Sequence, residues 1–556
     1  MRKSIGILLS LLLIFTFLMA SCTPAAPEVA ATEAAATEAP AAAPTKAQVI
    51  TAQAPPTAVP TDVATEVVPT IKRGGTLKYS RNILPLLADP KDSSALADVF
   101  VYRLIMEPLV EFDILANKYV GVVADEFSIS DDGLEYSFHI RDGIKFNDGT
   151  PVTAEDVKFT FELAQVEGVW TKLQQTVKEI IVVDDQNVKM VLTTPTAPFL
   201  DTCAQYSNWI ISKAAYEAAP DKDTFYQNAV TTGPFMWKEW IVGDRTVLAK
   251  NPYYWRVGED GEALPYLDEI VFTQVPEDTS RILQVQSESV DGTDGITWSN
   301  VNNLKDDPVG DIKTWESNQT YYIFINHQRP PFDDLNVRLA LNYAIDRQVM
   351  VDTALEGYGV PAHTFTPLKD PCKDQTEYWS YDVEKAKELV AASKYPDGYT
   401  GCVISVPQGR VVGIDNATMV IDYWSKIGIN CTIEQVEGGI LAGRARETDI
   451  DAISGYQWTS GSFDLDQQMN WFIITPTFYG NYVNLESQQL VKDAAIEVDP
   501  VKRCDMYKQI QKNFAEDGAN VVLYHSMYNT FINKNVKDYY VLPSYRIDFA
   551  KVWLDK

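Results

Sequence analysis

The residues best suited to hold a ligand lie close together near the C-terminal third of the chain. Tyr456, Gln457 and Trp458 follow one another, and Asp464 comes shortly after them. Flat aromatic rings and a planar amide can bind a sugar or a peptide chain, and a carboxylate can pair with an ammonium group. Gly, Ser and Thr dominate the residues between them, which favours a loop facing a cavity over a core position for Trp458.

Sequence motifs for catalysis are absent. The chain contains no HExxH pair, no GxSxG elbow and no Walker A loop. None of its histidines has metal-ligand spacing. The histidines are His139, His327, His363 and His525. No cofactor is expected. The abundant carboxylates single out no catalytic pair. The first alternative to a ligand-binding protein is an exported hydrolase, and the second is a scaffold or adhesin.

Length and composition indicate a globular protein with more than one lobe. A chain of 556 residues exceeds what one hydrophobic core supports, which predicts two or three lobes. Hydrophobic residues at 46% and charged residues at 22% are typical of globular proteins. The formal net charge of −29 repels nucleic acid and anionic lipid, so we expect no nucleic-acid partner.

The N-terminal residues have the pattern of a processing signal. Two basic residues precede an apolar run from Ile5 to Phe17, and a lipobox-like segment closes at Cys22. We expect lipid on Cys22; the alternative is an uncleaved membrane helix or a plain secretory signal, and the apolar run is short for a membrane span. Residues 23–73 are rich in Ala, Pro and Thr, which predicts a disordered tether. The protein should then be extracytoplasmic and held at the cell membrane by its lipid alone.

Five cysteines remain besides Cys22. These cysteines are Cys203, Cys372, Cys402, Cys431 and Cys504. No CxxC pair occurs among them, which argues against a zinc site. Outside the cytoplasm one or two disulfides can form, and a bridge between Cys372 and Cys402 is our first expectation. Buried free thiols are the alternative.

One stretch predicts a clear local structure. Alternating apolar and polar residues from Tyr136 to Ile140 predict a strand with one buried face. Asp142-Gly143 then predicts a tight hairpin to the next apolar residues. Thr153, with Asp156 three residues later, has the capping-box pattern of a helix N-terminus.

The same stretch is similar to the signature R-x-G-[IV]-K-F-x-D-G-x-P-x-T-A-x-D-V of the family 5 extracellular solute-binding proteins. These are peptide, dipeptide and nickel-complex receptors of bacterial ABC importers. The residues that match the signature are Arg141, Gly143, Ile144, Lys145, Phe146, Asp148, Gly149, Pro151, Thr153, Ala154, Asp156 and Val157. Further stretches that resemble the family include 232–235, 251–255 and 331–347, so the likeness covers nearly all of residues 74–556.

This resemblance implies an α/β fold of two lobes, the type II, cluster C form of the periplasmic-binding-protein-like clamp, with an extra domain inserted in lobe I. Domain I would comprise 74–110, 232–318 and 526–556, the extra domain II 111–231, and domain III 319–525. The resemblance also implies a monomer that captures a solute between its lobes and delivers it to an ABC permease. Contacts made by both lobes exist only in the closed form, so binding should favour closure.

The resemblance also indicates where a ligand would bind. In the family's peptide receptors a G-W-x-x-D-Y-x-D-P segment lies in the cleft wall of domain III; its tryptophan lines the cleft and its first aspartate pairs with the peptide's ammonium. Trp458 matches the tryptophan and Asp464 the aspartate before proline, whereas Gly461 replaces the ammonium-binding aspartate. Asp464 or Asp466 could substitute for it if the loop turns differently.

Candidate residues in domain I complete the predicted cleft. Arg81 and Asn82 follow the family's first strand, and Trp298 fits a cleft or a core position equally well. Family precedent places an oligopeptide first as ligand. An oligosaccharide, which needs no charged partner and could stack on Tyr456, Trp458 and Trp298, is second, and a nickel complex is third because histidine is scarce.

Overall fold

The computed structural model describes residues 70–93, 95–114, 116–168, 175–459, 464–475 and 480–556, and only the backbone at Leu96, Trp458 and Thr459. Cys22 and Gly461 lie outside the described residues, as do the predicted signal and most of the predicted tether. Nowhere in the described chain does a helix combine the length and the apolar character needed to cross a membrane.

Most of the strands belong to one curled sheet of twelve, and four form a separate antiparallel sheet. The strands are β1 (Thr76–Arg81), β2 (Val110–Asp113), β3 (Lys118–Gly121), β4 (Ala124–Ile129), β5 (Glu135–Ile140), β6 (Val177–Val182), β7 (Asn187–Leu192), β8 (Phe235–Ile241), β9 (Arg245–Lys250), β10 (Glu269–Gln274), β11 (Gly292–Asp294), β12 (Gly310–Ile325), β13 (Gly359–Pro361), β14 (Tyr399–Pro407), β15 (Ile429–Val436), β16 (Ala452–Ile453), β17 (Gln457–Thr459), β18 (Val521–Asn533), β19 (Val536–Lys537), β20 (Val541–Leu542), β21 (Arg546–Ile547) and β22 (Trp553–Leu554).

Helices pack against both sheets. They are α1 (Leu96–Ile105), α2 (Ala154–Val166), α3 (Phe199–Ala204), α4 (Lys213–Ala218), α5 (Lys222–Gln227), α6 (Asp278–Gln286), α7 (Trp298–Asn303), α8 (Leu335–Tyr343), α9 (Arg347–Ala354), α10 (Val383–Ala391), α11 (Val411–Ser425), α12 (Gly438–Arg446), α13 (Leu465–Met469), α14 (Leu485–Ile496) and α15 (Pro500–Glu516). Helix α11 contacts β14 and β15 of the large sheet, and α2 contacts β6 and β7 of the small one.

The large sheet runs through both lobes in the order β15-β14-β16-β12-β18-β11-β1-β10-β9-β8, with β13 beside β18 and β17 beside β12. In domain I, β1 is parallel to β10 and β11. In domain III, β14 is parallel to β15 and β16. Among the described strands, only β12 and β18, which are antiparallel to each other, extend from the domain I part of the sheet into the domain III part. The small sheet, β4-β5-β7-β6, lies in domain II.

Separate hydrophobic cores lie on either side of β12 and β18. The core of domain I joins residues from Leu77 to Leu554, and Phe225 and Tyr226 pack into it. The cores of domain III contain residues between Tyr322 and Tyr524, and that of domain II lies between 109 and 210. Domains I, II and III denote the predicted ranges, whose boundaries stay predictions.

Local predictions near the small sheet are partly confirmed. The strand is β5, in which Tyr136, Phe138 and Ile140 are buried. The capping box is present at the start of α2, where Thr153 N–H donates to Asp156 Oδ2 at 2.9 Å. The predicted hairpin at Asp142-Gly143 is wrong. Because β4 and β7 occupy both edges of β5, no edge is left for a hairpin partner, and Gly143 (φ +73°) only redirects the chain.

The predicted bridge between Cys372 and Cys402 is also wrong. Cys402 and Cys431 are paired residues of β14 and β15, and they form one disulfide with their Cα atoms 4.4 Å apart. Cys372 forms the other with Cys504 of α15, at a Cα separation of 4.8 Å. Cys203 is a buried free thiol.

Candidate ligand-binding cleft

A bent two-stranded ribbon joins the lobes. Trp315 of β12 pairs with Tyr528 of β18 on the domain I side, and Ile323 pairs with Val521 on the domain III side. Between Glu316 and Thr320 the register of the pair shifts. Such bulges bend a strand and increase its twist. The ribbon is therefore placed where a hinge between lobes is expected.

Four strands lie side by side at this bend. Trp458 of β17 pairs with Thr320 of β12, Thr320 pairs with His525 of β18, and His525 pairs with Val360 of β13. Thr320 Oγ1 lies 2.9 Å from His525 Nδ1. Burial lowers the pKa of His525 to about 3, so its ring is neutral at physiological pH. Its Nε2 atom has no hydrogen-bond partner among the described residues, which leaves a polar atom at the floor between the lobes.

The predicted ligand segment runs along this floor. Gln457 and Trp458 lie in β17, antiparallel to β12, and Tyr456 packs partly buried against the core of domain III. Within the described chain the other edge of β17 pairs with no strand, so its backbone groups are available to a ligand. The side chain of Trp458 lies outside the described atoms, and its role in lining the cleft stays a prediction.

Asp464 is held by partners within domain III. Its carboxylate forms a bidentate ion pair with Arg503, in which Nη2 lies 2.6 Å from Oδ1, and the Tyr507 hydroxyl is 3.3 Å from Oδ1. Oδ1 also accepts the Asp466 N–H at 2.8 Å and so caps α13. Asp464 and Arg503 are each only 12% exposed. Removing one partner of such a pair costs about 3–5 kcal/mol, so Asp464 stabilises this wall of the cleft.

Asp466 has unused capacity to accept a hydrogen bond. Oδ2 accepts Asn470 Nδ2 at 2.9 Å, but Oδ1 is buried without a hydrogen-bond partner among the described residues. Burial and then the charge of Asp464 raise the pKa of Asp466 to about 7. Burial likewise raises the pKa of nearby Asp370 to about 7. A cationic group of a ligand would favour the ionised form of both acids.

The two candidates at the C-terminal end of β1 differ in exposure. Arg81 is only 5% exposed; its Nε donates to Asp294 Oδ2 at 2.9 Å and its guanidinium lies 3.7 Å from the centre of the Phe100 ring. Its Nη1 atom is buried and has no hydrogen-bond partner among the described residues. Asn82, the next residue, is exposed. Arg81 is thus an anchored residue of domain I, and Asn82 is open to solvent.

Trp298 forms a contact between lobes. It is the first residue of α7 and stacks on Tyr358, with ring centroids 4.9 Å apart and an interplanar angle of 15°. The Tyr358 hydroxyl donates to Asn302 Oδ1 at 3.0 Å. Tyr358 follows α9 of domain III, so the stack ties the two lobes together and uses one face of Trp298.

Arg410 is a candidate that the sequence pattern did not single out. It is exposed, lies between β14 and α11, and forms no ion pair or hydrogen bond through its side chain with the described residues. Burial raises the pKa of Tyr321 and of Tyr456, and the charge of Arg410 partly opposes that rise in both. The charge of Arg410 thus acts on residues of β12 and next to β17, and a guanidinium without a partner among the described residues can bind a carboxylate with two hydrogen bonds. The sequence feature that could have identified Arg410 is its position at the carboxyl end of a parallel strand, where α/β sheets bind ligands.

No metal centre is indicated in the part of the chain that the structure describes. There, no group of three or more His, Cys, Asp and Glu side chains is arranged to hold a metal ion. The cleft therefore offers hydrogen bonds, charges and aromatic surface as its means of binding.

Residues 118–479 match the family model described as bacterial extracellular solute-binding proteins, family 5 Middle. The chain belongs to family 5. Among family 5 relatives, the probable D,D-dipeptide-binding periplasmic protein DdpA of Escherichia coli is 29% identical over 455 residues, which are 80% of this chain and 86% of the relative. The glutathione-binding protein GsiB of Escherichia coli is 26% identical over 481 residues, 83% of this chain and 91% of the relative.

A solved structure of the same fold confirms the predicted fold class. The ABC transporter-associated periplasmic binding protein DppA from Helicobacter pylori, in complex with the peptide STSA, matches with a TM-score of 0.75 and 24% identity. The match covers 87% of this chain and 99% of that one. Family 5 and the relatives named here are binding proteins, which agrees with the predicted class of function.

Proposed function

We propose that this family 5 protein is the extracytoplasmic substrate-binding component of an ABC importer and that it captures short peptides between its lobes. The observation that carries the proposal is the arrangement around β17. Arg410, whose side chain forms no ion pair or hydrogen bond with the described residues, lies beside Tyr456 at one end of the strand, and the carboxylates of Asp464 and Asp466 follow the other end of the strand in the chain.

A peptide satisfies all three features of this wall. Its carboxylate fits the guanidinium of Arg410, and its ammonium fits Asp466, whose Oδ1 has no hydrogen-bond partner among the described residues. An extended backbone can pair with the free edge of β17 in the manner of an added strand. Side chains of different peptides would then occupy space filled by water in the free protein.

An oligosaccharide fits the same wall less well. It offers no charge to Arg410 or to Asp466. One of the aromatic residues that could stack on sugar rings, Trp298, already stacks on Tyr358. The relatives named for a dipeptide and for glutathione also favour a peptide.

Calorimetry with peptides and sugars tests the ligand class. Pools of di-, tri- and tetrapeptides should release heat on binding, whereas cello- and xylo-oligosaccharides should not. Arg410→Gln should weaken peptide binding on the order of tenfold to a hundredfold, because a hydrogen bond to a charged group contributes about 1.5–3 kcal/mol. Arg329→Gln is the matched control, since Arg329 is 40% exposed and pairs with Asp449 at 2.8 Å within domain III. Heat from sugars alone, abolished in Trp458→Ala, would replace the peptide by an oligosaccharide.

We further propose that a lipid on Cys22 anchors the protein to the membrane. The lipobox-like segment that ends at Cys22 supports this anchor. Cys22→Ala should release the protein from the membrane fraction or leave its signal uncleaved. A variant that stays in the membrane fraction with its signal removed would contradict the lipid anchor.

A further inference from the structure

A long segment of domain III borders the cleft without forming a helix or a strand. It comprises residues 362–382, which the structure describes throughout, and it connects β13 to α10. We call this segment the strap. Loops longer than about 12–15 residues without secondary structure are uncommon in compact domains and often serve as lids or binding loops. The contacts that hold the strap in place therefore bear on ligand binding.

The first part of the strap packs against the floor and one wall of the cleft. Phe365 O accepts the hydroxyl of Tyr322, in the floor strand β12, at 2.7 Å. It also accepts Gln468 Nε2 of α13 at 2.9 Å. Helix α13 is the helix that Asp464 caps. The strap thus touches the same wall that carries the acidic candidates.

The middle of the strap reaches the other lobe. Lys369 Nζ lies 3.0 Å from Glu316 Oε1, and Glu316 lies just before the register shift of β12, on the domain I side. Both side chains are 49% exposed, so the ion pair contributes little stability by itself. Its position nevertheless places the strap across the two lobes, beside the bend of the ribbon.

A disulfide fixes the strap to α15. Cys372 is bonded to Cys504, with a Cα separation of 4.8 Å, and Gln511 Nε2 donates to Cys372 O at 2.9 Å. Arg503, the residue before Cys504, holds Asp464 in the cleft wall. The disulfide therefore joins the strap to the helix that positions this wall.

The two disulfides of the protein differ in their access to solvent. Cys372 and Cys504 are both partly exposed. By contrast, Cys402 is 0% and Cys431 is 7% exposed. A thiolate must reach a sulfur atom to open a disulfide, and exposed bridges are reduced more readily than buried ones. A dithiol should therefore open the Cys372–Cys504 bridge first.

We propose that the Cys372–Cys504 disulfide is a redox switch of ligand capture, so that a dithiol that reduces it weakens the binding of ligand in the cleft. The bridge gains two electrons and two protons and becomes two thiols, while the dithiol becomes a disulfide. The strap then loses its covalent attachment to α15, and ligand binding must offset the entropy of ordering it again. The proposal rests on the peptide-binding function above and adds the regulation of that site.

Thermodynamic linkage makes the switch testable in two directions. If reduction weakens peptide binding by a given factor, bound peptide must disfavour reduction by the same factor. Coupling between two sites is typically about 5–150-fold, and we expect the effect of reduction on peptide affinity to fall in this range.

Calorimetry with the peptide pools measures the first direction. The protein is exposed to dithiothreitol until alkylation and mass spectrometry show free thiols at Cys372 and Cys504 but not at Cys402 and Cys431. This form should bind peptide at least about fivefold more weakly than the oxidised form. Cys372→Ser/Cys504→Ser should show the same loss and no response to dithiothreitol. Cys402→Ala/Cys431→Ala is the matched control, because it removes the buried bridge and should bind peptide as oxidised wild type does.

Redox titration in dithiothreitol buffers measures the second direction. Saturating peptide should shift the reduction of Cys372–Cys504 toward stronger reducing conditions. Equal peptide affinity of both redox forms, or reduction of Cys402–Cys431 before Cys372–Cys504, would overturn the switch and leave the peptide function standing. Loss of the native circular dichroism spectrum on reduction would make the bridge purely structural and would also overturn the switch. Failure of the oxidised protein to bind any peptide would overturn the peptide function and the switch with it.

Discussion

At the scale of single residues, the cleft contains polar groups whose hydrogen-bonding capacity the described residues do not fill. Asp464 is neutralised by Arg503, and Arg81 by Asp294. Among the described residues, Arg410 has no ion-pair or hydrogen-bond partner for its side chain, and Asp466 has none for Oδ1. The sequence predicted Asp464 as a site residue because it matches a family motif, but sequence cannot say which carboxylate has a partner. That depends on α15, which brings Arg503 to Asp464 from far along the chain.

The raised pKa of Asp466 makes stability depend on pH. An unfolded aspartate loses its proton near pH 3.9, whereas native Asp466 keeps it to about pH 7. Between these values the native state binds more protons than the unfolded state, so the free energy of unfolding falls as the pH rises through this window. Asp370 has the same effect.

Asp466→Asn should therefore stabilise the free protein at pH 8, by about 1–3 kcal/mol, and have a small effect near pH 4. Urea denaturation at several pH values measures the change. Asp449→Asn, at a residue that is 65% exposed, is the control. An unchanged slope of stability against pH in Asp466→Asn would show that Asp466 does not titrate as described.

At the scale of elements, sequence predicted what short-range chemistry decides. The capping box of α2 is present, with the Thr153 N–H bonded to Asp156 Oδ2. The burial pattern of β5 was also predicted correctly, because the alternation of apolar and polar residues is contained in the sequence of that strand alone. The predicted hairpin after β5 was wrong because the whole sheet decides which strands pair with the two edges of β5. The predicted disulfide was wrong for a related reason, because the two bridges join cysteines that are 29 and 132 residues apart in the chain.

The two disulfides should contribute unequally to stability. In the chain-entropy model a disulfide raises the free energy of the unfolded chain by reducing its conformational entropy. The Cys372–Cys504 bridge, across 132 residues, raises it by about 5 kcal/mol, and the Cys402–Cys431 bridge, across 29 residues, by about 3.6 kcal/mol. Replacing the first pair by alanine should thus lower the free energy of unfolding more than replacing the second.

Urea denaturation of both double variants measures the difference. Wild-type protein in a reducing agent provides the matched control, because it should be no more stable than either variant. An unchanged denaturation midpoint on full reduction of the wild type would contradict a stabilising role for both bridges.

At the scale of the whole molecule, closure depends on a few connections between lobes. The ribbon of β12 and β18 carries the chain across, and the stack of Trp298 on Tyr358 holds the lobes beside it. A backbone hydrogen bond of 2.8 Å from Ala197 N–H to Ala495 links the inserted domain to domain III. Family resemblance predicted this architecture from sequence, whereas local pattern alone could not have assigned distant segments to one domain.

Ligand binding should compact the protein. A peptide at about 100 times its Kd should stabilise the folded state by roughly 2.7 kcal/mol and raise the melting temperature. Small-angle scattering should show a smaller radius of gyration at the same peptide concentration, because contacts from both lobes favour the closed form. Tight binding without any change in radius of gyration would contradict the clamp mechanism.

The way the chain crosses between lobes also sets the order in which the molecule can finish folding. The core of domain I joins Leu77 near the start of the described chain to Leu554 near its end. The cores of the inserted domain and of domain III contain only residues that emerge earlier, up to about residue 524. During synthesis or export from the N-terminus these two can fold as units first. The domain that begins the chain is the last to be completed, when its final strands arrive.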